Sequence, residues 1–216
     1  MVHLAARSLS FQREGRALFS SLSLALKAGQ VCRIEGPNGS GKTTLLRILS
    51  GLISDYEGKV CWCDKPISTC RNQFSEALLY LGHRTGVKTA LTPFENLQAF
   101  IGLSARAVAN AEACCWQALN AVGLVDYADV PVARLSAGQQ RRVALARLHL
   151  HDASLWLLDE PFTAVDHRGT AQLEQWLQDH RAQGGIAILT SHQPLQQITP
   201  DIRLCFDGQG GHDIVA

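Results

Sequence analysis

The chain has 216 residues, of which 46% are hydrophobic and 18% charged, and its 20 Lys and Arg nearly balance its 19 Asp and Glu. That length suits one domain with a sizeable core, and a net charge of +1 gives no electrostatic footprint for nucleic acid as the main partner. Residues 1–9 lack the apolar core of a secretory signal, and no apolar run approaches the roughly 18 residues of a membrane span. Residues 1–62 read as short strands around one loop-to-helix transition. Within them, 31–34 is a β-rich run ending in a glycine loop, and 45–52 continues as a helix with Leu45, Ile48, Leu49 and Leu52 at helical spacing. Residues 86–134 read as helical. Thr92 is the expected N-cap there, Pro93 the first helical residue and Glu95 the partner in a capping box. A second helix is expected over 107–122, with Val108, Cys115 and Leu119 near one face and Gly123 as its stop. A third covers 139–150, with Val143, Ala146 and Leu150 in register. The apolar runs 155–158 and 186–189 read as strands buried on both faces, with a helix over 169–181 between them. Such alternation implies an α/β fold, a parallel sheet covered by helices. The 7 Cys are odd in number and lack paired CxxC spacing, so Cys61-Trp62-Cys63 and Cys114-Cys115 read as free thiols.

The strongest local signal is Gly36-Pro37-Asn38-Gly39-Ser40-Gly41-Lys42-Thr43, followed by Thr44, the P-loop pattern GxxxxGK[ST]. Its glycines let main-chain N–H groups curl around phosphates. Lys42 adds a point charge to the phosphate oxygens, Thr43 offers a hydroxyl to Mg²⁺, and the following helix aims its positive end at the anion. A second signal is Asp159-Glu160 at the end of the apolar run 155–158. An Asp at the carboxyl edge of a parallel sheet can hold Mg²⁺, and the next carboxylate is placed to polarise an attacking water. Taken alone, an Asp-Glu pair after a strand is a solvated turn; phosphoryl transfer needs both it and the P-loop.

Between these signals lies Leu135-Ser136-Ala137-Gly138-Gln139-Gln140. It resembles the signature of the ATP-binding-cassette ATPases, usually LSGGQ, with Ala137 in place of the first glycine. Thr163-Ala164-Val165-Asp166 resembles that family's D-loop, and Ser191-His192 resembles its switch histidine. The resemblance spans residues 9–206. It implies a P-loop ATPase of the cassette type: a mostly parallel core with an N-terminal antiparallel β subdomain (1–85 and 151–216) and a helical lobe (86–150). It implies ATP and Mg²⁺ as cofactors, with Glu160, His192 and Lys42 as catalytic groups. Ser136, Gly138 and Gln139 then cap the nucleotide of a second, identical chain. The family's usual Gln between core and lobe is replaced by His83, which joins Thr43 and Asp159 as the groups implied near Mg²⁺. Phe11 is the implied adenine-stacking residue, with Arg13 beside it.

The wording of residues 81–83, 135–148 and 159–164 resembles more narrowly the ATP-binding subunit of the haem exporter of bacterial cytochrome c maturation. This implies a peripheral subunit on the cytoplasmic face of the inner membrane, with integral membrane partners and no nucleic acid. Cassette ATPases that act on DNA carry a long coiled coil between P-loop and signature, and residues 44–135 hold no sustained heptads. Motifs common to all cassette ATPases fit another importer or exporter equally well. The pattern in His149-Leu150-His151 lacks the context of a haem ligand and reads as helix surface.

Overall fold

The computed structural model describes residues 3–104, 108–150 and 152–215. Two sheets share the chain. The first is antiparallel, in the order β2 (Arg16–Lys27), β1 (His3–Arg13), β4 (Glu57–Trp62), β5 (Lys65–Pro66). The second has six strands in the order β10 (His212–Val215), β9 (Ile202–Phe206), β3 (Val31–Glu35), β8 (Ile186–Thr190), β7 (Leu155–Leu158), β6 (Leu78–Leu81). It is parallel throughout except for β10 on β9. Among the described residues six α-helices accompany them: α1 (Lys42–Leu49), α2 (Arg71–Ala77), α3 (Pro93–Leu103), α4 (Ala111–Ala121), α5 (Ala137–Leu145) and α6 (His167–Ala182).

The strands near the N-terminus are long, not short: β1 has 11 residues and β2 has 12. The serines that interrupt the apolar run of β2 are its outward positions, because Leu22, Leu24 and Leu26 are buried while Ser21, Ser23 and Ala25 are exposed. A two-residue turn joins β1 to β2, with φ of 52° at Glu14 and 77° at Gly15. Two successive positive φ values match the right-handed twist of a hairpin, which glycine accepts without strain.

The central parallel strands do face helices on both sides. Leu155 and Leu157 of β7 enter one apolar cluster with Leu45, Leu46, Ile48 and Leu49 of α1. Trp156 and Leu158 enter the other with Leu97 of α3, Leu119 of α4, Val143 of α5 and Leu173 of α6. The capping box at Thr92 and Glu95 forms, with Pro93 in the first turn of α3.

Several helix boundaries differ from the periodicity. α1 stops at Leu49 because Gly51 turns left-handed (φ 77°) and the Leu52 N–H closes onto the Arg47 carbonyl at 2.9 Å, leaving Leu52 61% exposed. The helix expected over 139–150 begins earlier, at Ala137, and tightens into a 3₁₀ turn over Ala146–His149. α4 begins only at Ala111, after Asn110 at φ 53°. Ala107 and His151, included in the expectations above, lie outside the described residues.

At the amino end of the parallel strands, Trp156 stacks on His180 at 3.9 Å and 8°, and the His180 Nε2 lies 3.2 Å from the Ile186 carbonyl. His149 meets Trp176 edge-on at 4.5 Å. Burial pushes both imidazoles below their ordinary 6.5, the Ile186 carbonyl opposing this at His180. A histidine held neutral by the fold leaves stability intact above the unfolded-state value and erodes it as the pH falls below, because only the unfolded chain then takes up the proton. Urea unfolding is therefore expected to give a lower free energy at about pH 5.5 than at about pH 7.5, by at most about 1.4 kcal/mol per pH unit per histidine. His180→Phe should flatten that dependence, and an unchanged slope would contradict the burial argument.

Candidate active site

Four neighbouring parallel strands end side by side, and each delivers part of one site. β3 leads into Gly36 and the P-loop, β8 into Ser191-His192, β7 into Asp159-Glu160 and β6 into Gly82-His83. Ligands bind outside the carboxyl ends of such strands because connections leave there in diverging directions. A cleft of about 630 Å³ opens at this edge. Asn38, Gly39, Gly41, Lys42, Thr43, Thr44, His83, Glu160 and His192 line it, and so do Arg13, Leu18, Arg47 and Thr163.

The P-loop conformation requires its glycines. Gly36 has φ 139°, and a Cβ there would lie 2.8 Å from the Phe206 carbonyl oxygen. Gly41 has φ 106° and packs against Leu18. Lys42 is buried, and its Nζ donates to the Gly36 carbonyl at 2.7 Å and the Pro37 carbonyl at 3.0 Å. Burial pushes its ammonium down from the ordinary value, while Glu160 and Asp159 oppose that shift. The Ser40 hydroxyl is buried and finds no hydrogen-bond partner among the described residues.

The carboxylates are held from β8. Asp159 is 1% exposed, and its Oδ1 accepts from the Thr190 hydroxyl at 2.9 Å. The same hydroxyl accepts from the Glu160 N–H at 2.7 Å. Asp159 Oδ2 is buried with no partner among the described residues. Glu160 has φ 49°, a left-handed conformation that costs a non-glycine residue about 1–2 kcal/mol. Its Oε1 lies 3.3 Å from His192 Nε2. From the other side Arg141 donates to the carbonyls of Asp159, Glu160 and Pro161.

Two groups of expected residues lie elsewhere. Phe11 does not line the cleft; it stacks on Phe19 at 6.3 Å and packs against the apolar cluster shared by the antiparallel sheet, α1 and one face of the parallel sheet. The β1–β2 register shifts between Phe11 and Gln12, and beyond that irregularity it is Arg13 and Leu18 that reach the cleft. Ser136, Gly138 and Gln139 also stand apart. Ser136 caps α5 by accepting from the Gln139 N–H at 3.2 Å, and Gln139 Oε1 accepts from the Ser136 N–H at 2.9 Å. Gly138 leaves room for the Ala164 carbonyl, and Arg142 pairs with Asp166 at 2.9 Å. No sequence motif singles out Thr190 or Arg141. Thr190 is the last residue of a strand recognised only by its apolar run, and Arg141 reads as an ordinary basic residue on a helix.

Residues 19–163 match the family described as ABC transporter. The chain belongs to that family. Over 200 residues it is 49% identical to the cytochrome c biogenesis ATP-binding export protein CcmA of Yersinia pestis bv. Antiqua (strain Nepal516), covering 93% of this chain and 90% of that protein. Identity to the protein of the same name from Escherichia coli (strain K12) is 49% over 202 residues, with 93% and 94% covered. Among solved structures, an ABC transporter ATP-binding protein from Pyrococcus furiosus superposes with a TM-score of 0.79 at 25% identity, covering 94% of this chain and 97% of that one. A dimeric ATP-binding cassette bound to ADP and Pi in a post-hydrolysis state shares the fold, with a TM-score of 0.83 at 19% identity and 97% of each chain covered. The cassette is thus an ATPase subunit of the ABC type.

Thr190→Val keeps the shape of the β8 terminus and removes the hydroxyl shared by Asp159 and Glu160. It is expected to destabilise the cassette by about 1–3 kcal/mol in denaturant titration, since a buried carboxylate oxygen and an amide lose their partner. Thr190→Ser should recover most of that loss. A Val variant as stable as the parent would contradict the bridging role.

Proposed function

We propose that the cassette powers the haem exporter of bacterial cytochrome c maturation, hydrolysing ATP to deliver haem, or release a haem-loaded chaperone, through membrane partners. The observation that carries this reading is near-half identity across 93% of the chain to proteins named for cytochrome c biogenesis export. No helix among the described residues is long and apolar enough to cross a membrane. On this reading the subunit sits peripherally on the cytoplasmic face of the inner membrane, and separate integral subunits supply the spans. Residues 86–150 form the lobe that transmits closure to them.

The chemistry follows from the cleft. Lys42 exchanges its two loop carbonyls for the β- and γ-phosphates, and the glycine-loop amides cradle the same oxygens. Asp159 Oδ2, buried and unpartnered, and the Thr43 hydroxyl form an oxygen donor set that fits Mg²⁺, with His83 at the same edge. When bound with ATP, that ion neutralises charge on the phosphate oxygens. Glu160 polarises the attacking water, and His192, beside its carboxylate, contacts the γ-phosphate. Arg13 and Leu18 present the surface against which the adenine rests.

Ser136, Gly138 and Gln139 lie on the helical side and do not line the cleft of their own chain. A second chain facing head-to-tail brings its α5 N-terminus, with amides exposed to an anion, over the nucleotide. Closure of two such chains completes two sites and excludes water.

Glu160→Gln is expected to slow hydrolysis by about 10²–10⁴ and to trap an ATP-bound dimer, read by size-exclusion chromatography; unaltered turnover would remove Glu160 from the role of base. The transport assignment is tested by recovering the tagged chain from solubilised membranes. Membrane subunits of cytochrome c maturation should accompany it, with ATP-dependent release of haem-loaded chaperone. Recovery with a different permease would overturn the haem assignment and leave the ATPase intact.

A further inference from the structure

We propose that Arg141 is a positioning residue for Glu160, fixing its main chain from the signature helix so that its carboxylate stays directed into the cleft. This rests on the reading of Glu160 as the group that polarises water. The geometry is a clamp on one residue. Arg141 sits on α5, two positions after Gln139, and is 5% exposed. Its guanidinium donates to the Glu160 carbonyl at 2.6 Å, to that of Asp159 at 3.3 Å and to that of Pro161 at 3.4 Å. The N–H of the same glutamate is held by Thr190 at 2.7 Å. Glu160 therefore has both of its main-chain polar groups fixed: its N–H from the sheet, and its carbonyl from the helix together with the Thr163 N–H at 3.2 Å.

That double hold accounts for the backbone. A glutamate at φ 49° occupies a region that non-glycine residues rarely enter, and such a conformation persists only where the surroundings over-determine it. Released from one side, the chain would relax toward ordinary φ and swing the carboxylate away from His192, which it now meets at 3.3 Å.

The chemistry of the clamp is specific to arginine. A planar fork of N–H donors can serve three successive carbonyls, while a lysine ammonium offers one compact charge. The hydrogen bonds of the buried guanidinium go to main-chain oxygens, an expensive way merely to fill space. Burial depresses its basicity, while Asp159 and Glu160 oppose the shift. The same helix begins with Ser136 and Gln139, the residues proposed to meet the partner chain's nucleotide. Arg141 thus joins the arrival of that nucleotide to the placement of the base in its own chain.

The test uses the full chain with Arg141→Met, Arg141→Lys, Glu160→Gln and the double variant Arg141→Met, Glu160→Gln. For Arg141→Met the expected result is an unchanged KM for ATP and a kcat lower by about 10²-fold, the scale of a displaced reacting group. Arg141→Lys should fall between that variant and the parent. Hydrogen exchange should quicken over residues 159–163 in Arg141→Met and stay unchanged in α1 and β3. Combined with Glu160→Gln, Arg141→Met should cost nothing further, because the group it positions is gone. An equal loss in both backgrounds would overturn the proposal. So would an unchanged kcat, or faster exchange spread across the fold. If Glu160→Gln alone hydrolysed ATP at the parent rate, the assignment of the base would fail instead, and the exchange pattern would still report whether the clamp exists.

Discussion

The hydroxyl of Thr190 is the joint on which the cleft depends. It donates to Asp159 at 2.9 Å and accepts from the Glu160 N–H at 2.7 Å, so one atom on β8 fixes a buried carboxylate and the residue after it, just past the end of β7. A carboxylate this deep survives only with donors around it. Because β8 lies between β7 and β3, the same strand end also sets the distance from both carboxylates to the P-loop. The parallel register of β6, β7, β8 and β3 does the rest, bringing groups far apart in sequence to one edge.

Much of this was legible in the sequence because the chemistry sits in short loops at strand ends. The P-loop needs glycine where φ is positive and lysine at a fixed offset, so its residues are local. The strands that carry Asp159 and His192 announce themselves as unbroken apolar runs, since helices cover both faces. The hairpin of β1 and β2 was harder to read, because its outward serines resemble interruptions of short strands. Helix ends depart from the periodicity where hydrogen bonding changes type, at Gly51 and over Ala146–His149. Periodicity does not register either event.

What sequence could not supply is burial set by tertiary packing. Arg141 and Arg142 are adjacent basic residues on one helix, yet one is enclosed against the end of β7 and the other pairs with Asp166 at the surface. Nothing local distinguishes them. Phe11 poses the same problem in reverse: an aromatic in the right part of the chain is drawn to Phe19, and a shift in strand register hands the cleft to Arg13 and Leu18.

On the proposed reading this cleft is half of a site, completed by Ser136, Gly138 and Gln139 of a second chain. The most direct measurement mixes two inactive chains, both carrying Glu160→Gln to hold ATP: one with Lys42→Ala, the other with Ser136→Arg. Alone, each breaks one half of every site. Mixed, they leave one site with an intact P-loop from one chain and an intact signature from the other. An ATP-retaining dimer is expected by size-exclusion chromatography only in the mixture. No retained ATP in the mixture, or an ATP-retaining dimer formed by either chain alone, would contradict that reading.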